Sequence, residues 1–191
     1  LNKKNKYDDH DPDFWKMIDE KCFRSIGFEI KYSEPYGECQ FISLSDAFKD
    51  ALKGSQIRVP FKYSSGSLLR EEVVNNMEMF SDVYKPMFER GLNLEIPECR
   101  NFWKKDNTCP WEKYLELMRK KSTYGDELTL RAASDLLGID IVLFQIAEKN
   151  GEYVCDQSTI RSDGIRHALK DLKLVIAFYG IHYNSAKFNP K

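Results

Sequence analysis

The longest unbroken apolar stretch of this sequence runs from Leu174 to Ile181, counting the glycine inside it. A continuous apolar run bounded by polar segments reads as a central strand covered on both faces, so the chain has to pack helices around a sheet. The run is far short of the roughly 20 residues that a membrane-spanning helix requires. It is expected to be the last strand, with His182 emerging where it finishes. At the other end, LNKKNKYDDHDPD has no apolar segment behind its lysines and no initiating Met, so it reads as an internal or trimmed segment and not as a signal peptide.

The elements that would surround such a strand are legible in the spacing. Asp11-Pro12 reads as an N-cap followed by proline at the first helical position, with Phe14, Ile18 and Cys22 on one face and an end near Gly27. Phe28, Ile30 and Tyr32 alternate as in a half-buried strand that runs into the turn SEPYGE. From Cys39 onward, Phe41, Leu44, Phe48 and Ala51 recur at helical steps, which places the cysteine at a helix N-terminus. Ser67 is the expected N-cap of a helix carrying Leu69, Val73, Met77 and Phe80, and helix is expected to continue over 84–90. After a loop over 91–108, Pro110 opens a helix with Trp111, Tyr114, Leu115 and Met118 inward. A helix from Asp126 to Leu137 is ended by Gly138, and IDIVLFQI, a hairpin turn and EYVC follow as paired strands. Ile165, Leu169 and Leu172 suggest a short surface helix.

Composition bounds the function classes. The chain has 191 residues, 42% of them hydrophobic with 12 Phe, 10 Tyr and 3 Trp, enough for one sizeable core without staples. We expect one domain over 13–187, between a polar N-terminal tail over 1–12 and a C-terminal tail over 188–191. With 29 Lys+Arg against 30 Asp+Glu, the chain lacks the basic excess that binding to phosphate backbones requires, so a protein or small-molecule partner is expected and nucleic acid is not. Cys22, Cys39, Cys99, Cys109 and Cys155 are odd in number and never form a C-x-x-C pair, which is neither a disulfide framework nor a zinc-ligand spacing. Free thiols in a reducing compartment fit best, and Cys99 and Cys109, which flank a Trp-containing loop, are read the same way.

One cysteine stands apart from the rest. A helix N-terminus and a nearby imidazole both favour the thiolate, and Cys39 meets the first condition. The turn Tyr36-Gly37-Glu38 before it could aim successive backbone N–H groups into one pocket, with Gly37 allowing a tight approach. The competing reading of Cys39 is a small buried hydrophobe, and Cys22 and Cys155 keep that reading. His182 would be the general base, against a structural histidine at a strand end. Asn184, two residues on, could point the same way along an extended chain and orient the imidazole. His10, in the charged tail, and His167, among basic residues, are read as solvated. Trp111 is expected in the core, and Trp103, in a polar loop, is the better surface candidate.

These residues carry a family resemblance. YGECQFISLSDAF resembles the nucleophile motif of the ovarian tumour (OTU) cysteine proteases, and IHYNSAKF is similar to their terminal His-aromatic-Asp/Asn motif. SLLREEVVNNMEMF and YGDELTLRAASDLLGIDIVLF are similar to the two helical motifs that lie between them. The sequence departs from the family at Tyr36, where Asp is usual, and at Asn184, where Asp is commoner. The Cys-Gly-Ser/Ala-Cys signature of papain itself is absent.

The resemblance implies an α+β fold of the papain-like OTU type, a small central sheet packed between helices. It implies deubiquitination by Cys39 as nucleophile, His182 as base and then acid, and Asn184 orienting His182. The backbone of Tyr36, Gly37, Glu38 and Cys39 would form the oxyanion loop, with no metal or organic cofactor. The implied partners are ubiquitin and polyubiquitin chains, with no nucleic acid or membrane, acting on a monomeric catalytic domain. Ubiquitin would rest on the helical region over 67–118 and on the hairpin over 145–155. The implied setting is cytoplasmic or nuclear, or a host cytosol if the chain comes from a pathogen. Two other readings share the fold: a ubiquitin-binding module without turnover, and a protease for a ubiquitin-like modifier or a polyprotein.

Overall fold

The computed structural model describes residues 8–34, 36–53, 55–91, 111–163, 169 and 171–189. Cys99, Cys109, Trp103, Pro110, His167 and Ile165 lie outside them, as does the loop expected over 91–108 apart from Gly91, which ends a helix. Helix α1, Pro12–Ile18, starts as the sequence dictates: the Asp11 side chain accepts the N–H of Asp13, and proline sits in the first turn. It does not run unbroken to Gly27. A π turn over Asp19–Phe23 and a 3₁₀ turn over Arg24–Ile26 follow, closed by Gly27 at φ 81°. The buried Asp19 carboxylate accepts from Arg24 and from the backbone N–H of Ile30, tying this bend to strand β1, Phe28–Lys31.

Helix α2, Cys39–Ala51, buries Phe41, Leu44 and Phe48. Helix α3, Gly66–Met79, begins two residues before the expected start, because Ser65, and not Ser67, caps it by accepting the Leu68 N–H. Ser67 turns instead toward the loop before Cys39, where its hydroxyl donates to Glu38 Oε1 at 2.8 Å. Helices α4, Ser81–Gly91, and α5, Trp111–Met118, follow, with Trp111 in the core. Asp126 stands just outside helix α6, Glu127–Leu137, as the cap of a reciprocal box with Thr129, and Gly138 ends the helix in the left-handed region.

Strands β2, Asp140–Lys149, and β3, Glu152–Ile160, form a hairpin longer than IDIVLFQI and EYVC suggest. The apolar run becomes β4, Lys173–Tyr179, and is not the last strand. The chain turns at Gly180-Ile181 and returns as β5, His182–Phe188, antiparallel to β4. The sheet order is β1-β5-β4-β2-β3, mixed because β4 runs parallel to β2.

Strand β4 is covered on both faces, as a continuous apolar run demands. Leu174 and Ile176 join the core formed with α2, α3, α5 and α6, while Val175, Ala177 and Tyr179 join a second core under α1 with Phe14, Trp15 and Ile18. This sandwich puts β5, and therefore His182, beside the N-terminus of α2. Among the described residues no helix is long and apolar enough to cross a membrane.

Candidate active site

Helix α2 begins without a side-chain cap. Glu38 is its N-cap residue but makes no capping bond, so no side chain closes the helix end. The Cys39 thiol lies there, 1% exposed, with Sγ 3.8 Å from the carbonyl oxygen of Ile181. Fold and sequence thus bring together Cys39 and the residue next to His182 across 142 positions.

His182 is fully buried and packs among Tyr32, Trp15 and His10, whose rings lie 5.3, 5.7 and 5.2 Å from its own. Among the described residues neither ring nitrogen has a hydrogen-bond partner. Asn184 shares its face of β5, but its carbonyl oxygen accepts the N–H of Ser33 at 2.6 Å and is not bonded to the imidazole. Ser33 in turn meets Ser43 of α2, hydroxyl to hydroxyl, at 2.9 Å. Asn184 therefore staples β5 to the segment after β1 and, through Ser33, to the helix that carries Cys39.

The Cys39 and His182 side chains are both neutral in this arrangement. Burial pushes the Cys39 thiol up to about 11, against the opposing pull of the Tyr183 and Gln40 backbones and of Arg70. Burial, helped by the neighbouring His10, lowers His182 to about 4, while Asn184 and the Ser33 backbone act weakly the other way. Cys39 is thus a buried thiol against the turn before a neutral imidazole, and not the low-pKa thiolate that the helix N-terminus by itself suggests. Burial also raises Cys22, and raises Cys155 to about 12.

The His182 shift has a consequence for stability. A folded pKa near 4 lies below the ordinary 6.5, so as pH falls the unfolded chain takes up the proton first. The neutral ring contributes its stability in full above about pH 6.5, and the contribution is lost as pH falls toward about 4. Linkage gives about 2 kcal/mol less stability at about pH 5 than at about pH 7.5 from this group alone. Urea midpoints of wild type and His182→Gln at the two pH values check it: the wild type should lose more stability than the variant, and equal losses would refute the assignment.

The loop before the cysteine is held from several sides. Gly37 sits so close to the 121–122 backbone that a Cβ would lie 2.5 Å from the Lys121 oxygen. Tyr36, in the position where the family has Asp, is 73% exposed and adopts φ 115°, a strained value for a residue with a side chain. The N–H of Cys39 bonds to the Tyr36 carbonyl at 3.0 Å. Of the expected oxyanion donors this leaves the N–H groups of Gly37 and Glu38 without a partner among the described residues.

Several site residues carry no sequence signal that the analysis above used. The buried Gln40 donates to the Asp126 carbonyl at 3.0 Å and accepts from Thr129 at 2.7 Å, locking the start of α2 to the start of α6. The Asp9 carboxylate accepts the N–H of Ile181 at 2.8 Å, and the His10 carbonyl accepts from Tyr32 at 2.7 Å, so the segment over 8–11 lies against the Gly180-Ile181 turn. His10 is partly buried there and not solvated. Asp8, Asp9 and His10 are the described side chains that come nearest to a metal-ligand set, within 4.8 Å of one another, but one oxygen of Asp9 is already bonded to that turn. A groove of about 680 Å³ runs from Leu143 and Gln145 past Phe178 and Tyr183 to Gly180 and Ile181.

A cysteine at a helix N-terminus, against the turn that leads into a histidine on the adjoining sheet and behind a loop of free backbone donors, is the arrangement of a cysteine protease. The family model for OTU-like cysteine proteases matches residues 34–185, and the chain belongs to that family. The ovarian tumor domain-containing deubiquitinating enzyme 9 of Arabidopsis thaliana is 25% identical over 151 residues, covering 78% of this chain. The match covers 32% of that protein, so the chain spans about a third of its length.

Solved structures agree on the fold. The OTU domain of OTUD1 matches at TM-score 0.62 and 14% identity, covering 90% of this chain and 93% of that one. An OTU deubiquitinase from Wolbachia pipientis wMel bound to ubiquitin matches at 0.53 and 11%, covering 84% and 96%. The Hazara virus OTU bound to ubiquitin matches at 0.54 and 15%, covering 87% and 85%. The fold is the α+β OTU fold.

Proposed function

We propose that this domain is a deubiquitinase that hydrolyses isopeptide bonds at the C-terminal glycine of ubiquitin. The observation that carries the reading is the placement of the Cys39 thiol at the uncapped start of α2, against the turn before His182, whose Gly180 and Ile181 line one end of an open groove. The names of the relatives, a deubiquitinating enzyme and two OTU proteins bound to ubiquitin, supply the substrate class.

Because thiol and imidazole are both neutral, His182 acts as a general base at the moment of attack. It takes the Cys39 proton as sulfur adds to the carbonyl carbon, and the negative charge on oxygen is met by the N–H groups of Gly37 and Glu38. The imidazolium then protonates the leaving lysine amine, and water hydrolyses the thioester by the same steps. Asn184 positions the strand that carries His182. The extended ubiquitin tail would lie in the groove past Tyr183, with the exposed Met79, Phe80 and Val83 at the α3–α4 junction available to its globular body. The free Cys22, Cys39 and Cys155 support a reducing, cytoplasmic or nuclear setting.

A ubiquitin-binding module without turnover is the second reading, favoured by the unpaired ring of His182 and the strained Tyr36. Ubiquitin bearing a C-terminal thiol-reactive warhead separates the two. The enzyme reading expects an adduct at Cys39, read as a mass shift. Binding without an adduct would make the domain a module, and an adduct only with a ubiquitin-like modifier would move the substrate class.

A further inference from the structure

Arg70 is 2% exposed, among the largest fully buried side chains of the fold. Buried cations normally face a carboxylate, because desolvating an unpaired charge is costly. Arg70 has none within bonding distance among the described residues. Its guanidinium donates to two backbone carbonyls, Met118 at 2.9 Å and Gly37 at 2.6 Å, its face lies 4.2 Å over the Phe41 ring, and its Nε is unpaired. Burial lowers its pKa to about 10, which leaves it charged at neutral pH. Glu38 is the nearest acidic influence, and its carboxylate accepts from Ser67.

The Gly37 carbonyl gives this cost a purpose. In a trans peptide the C=O and the following N–H point in opposite directions. With the Gly37 oxygen drawn inward to Arg70, the N–H of Glu38 is turned outward, away from the buried guanidinium. Were that peptide to flip, a carbonyl oxygen would meet the developing oxyanion in place of a donor. Glycine at 37 leaves ψ free for such a flip, and the strain at Tyr36 offers no resistance to it.

We propose that Arg70 is the positioning residue of the oxyanion loop: it fixes the Gly37-Glu38 peptide in its donor orientation and sets a buried positive charge behind the carbon under attack. The proposal rests on the deubiquitinase reading above. The unpaired guanidinium is then matched by a negative charge at the one moment when charge develops, which is when stabilisation accelerates the reaction.

The test is Arg70→Lys, which keeps charge and stem but cannot span both carbonyls, with Arg70→Met as the uncharged partner. Turnover of ubiquitin carrying a C-terminal fluorogenic amide is measured together with the rate of Cys39 alkylation by iodoacetamide, a displacement at saturated carbon that builds no oxyanion. For Arg70→Lys, kcat should fall by about 100-fold with KM and the alkylation rate within about threefold of wild type. Arg70→Met should lose alkylation rate as well, since the charge favouring the thiolate is gone. A folded Arg70→Lys with wild-type kcat overturns the proposal. A parallel fall in kcat and alkylation overturns it too, since it marks a distorted site, as does loss of cooperative melting in both variants, which makes Arg70 a pillar of the fold. Wild type and Cys39→Ala run alongside: an inactive wild type or an active Cys39→Ala sinks the deubiquitinase reading and this one with it, whereas Arg70 failing alone leaves that reading standing.

Discussion

Cys39→Ala is expected to abolish turnover of a fluorogenic ubiquitin amide, a loss on the order of 10⁵-fold or to the detection limit. It should leave the melting temperature within a few degrees and ubiquitin affinity nearly unchanged. The two halves of the result follow from different facts. Catalysis is lost because, among the described residues, Cys39 is the thiol at a helix N-terminus, whereas Cys22 and Cys155 pack against the second core, raised by burial. The fold survives because the side chain is small and its contacts are weak sulfur ones, such as the long bond to the Ile181 carbonyl, so truncation costs about 1 kcal/mol. Kinetics of purified wild type and variant, with a thermal melt of each, check the prediction. An unfolded variant would return Cys39 to the role of a core residue, and a folded variant that still turns over would move the nucleophile elsewhere.

How far the sequence spoke for itself depended on whether a signal was local. The stripe Phe41, Leu44, Phe48 fixes α2 and its start at Cys39 because helical periodicity is written within one element. The run over 174–179 announced a strand buried on both faces for the same reason. The return strand was missed because its polar residues are the buried ones: His182, Asn184 and Ser185 are all 0% exposed, so HYNSAKF shows no alternation of apolar and polar. A functional site breaks the pattern that reveals structure elsewhere. Arg70 and His10 were illegible for another reason. Nothing near Arg70 in sequence says that its helix face meets the loop 33 residues earlier, and nothing in the charged opening says that Asp9 reaches Ile181, 172 residues on. Such contacts are made by topology. The motif resemblance nominated site residues without explaining how they are held, and Asn184 shows the difference, since its carbonyl oxygen holds Ser33 and not the imidazole.

That difference sets the second large expectation, a split between His182→Ala and Asn184→Ala. His182→Ala removes the base that must deprotonate a thiol held near 11, and kcat should fall by about 10³ to 10⁴, within the range for a lost general acid and base. The loss should be partly recovered by raising the pH toward that of the thiol, because hydroxide then does what imidazole did. Asn184→Ala acts at one remove. It leaves the buried N–H of Ser33 without its acceptor, a cost of about 1–3 kcal/mol in stability, and loosens β5 against α2. Its kcat should fall by about tenfold, with no recovery at high pH, because the base is still present but less well placed. Asn184→Asp should keep the Ser33 bond while setting a carboxylate beside His182, which raises the imidazole pKa and favours the imidazolium. Turnover against pH for the three variants, with urea midpoints, tests the scheme. If Asn184→Ala matched His182→Ala in kcat while remaining as stable as wild type, Asn184 would have to act on the reacting groups directly, and the staple through Ser33 would be incidental.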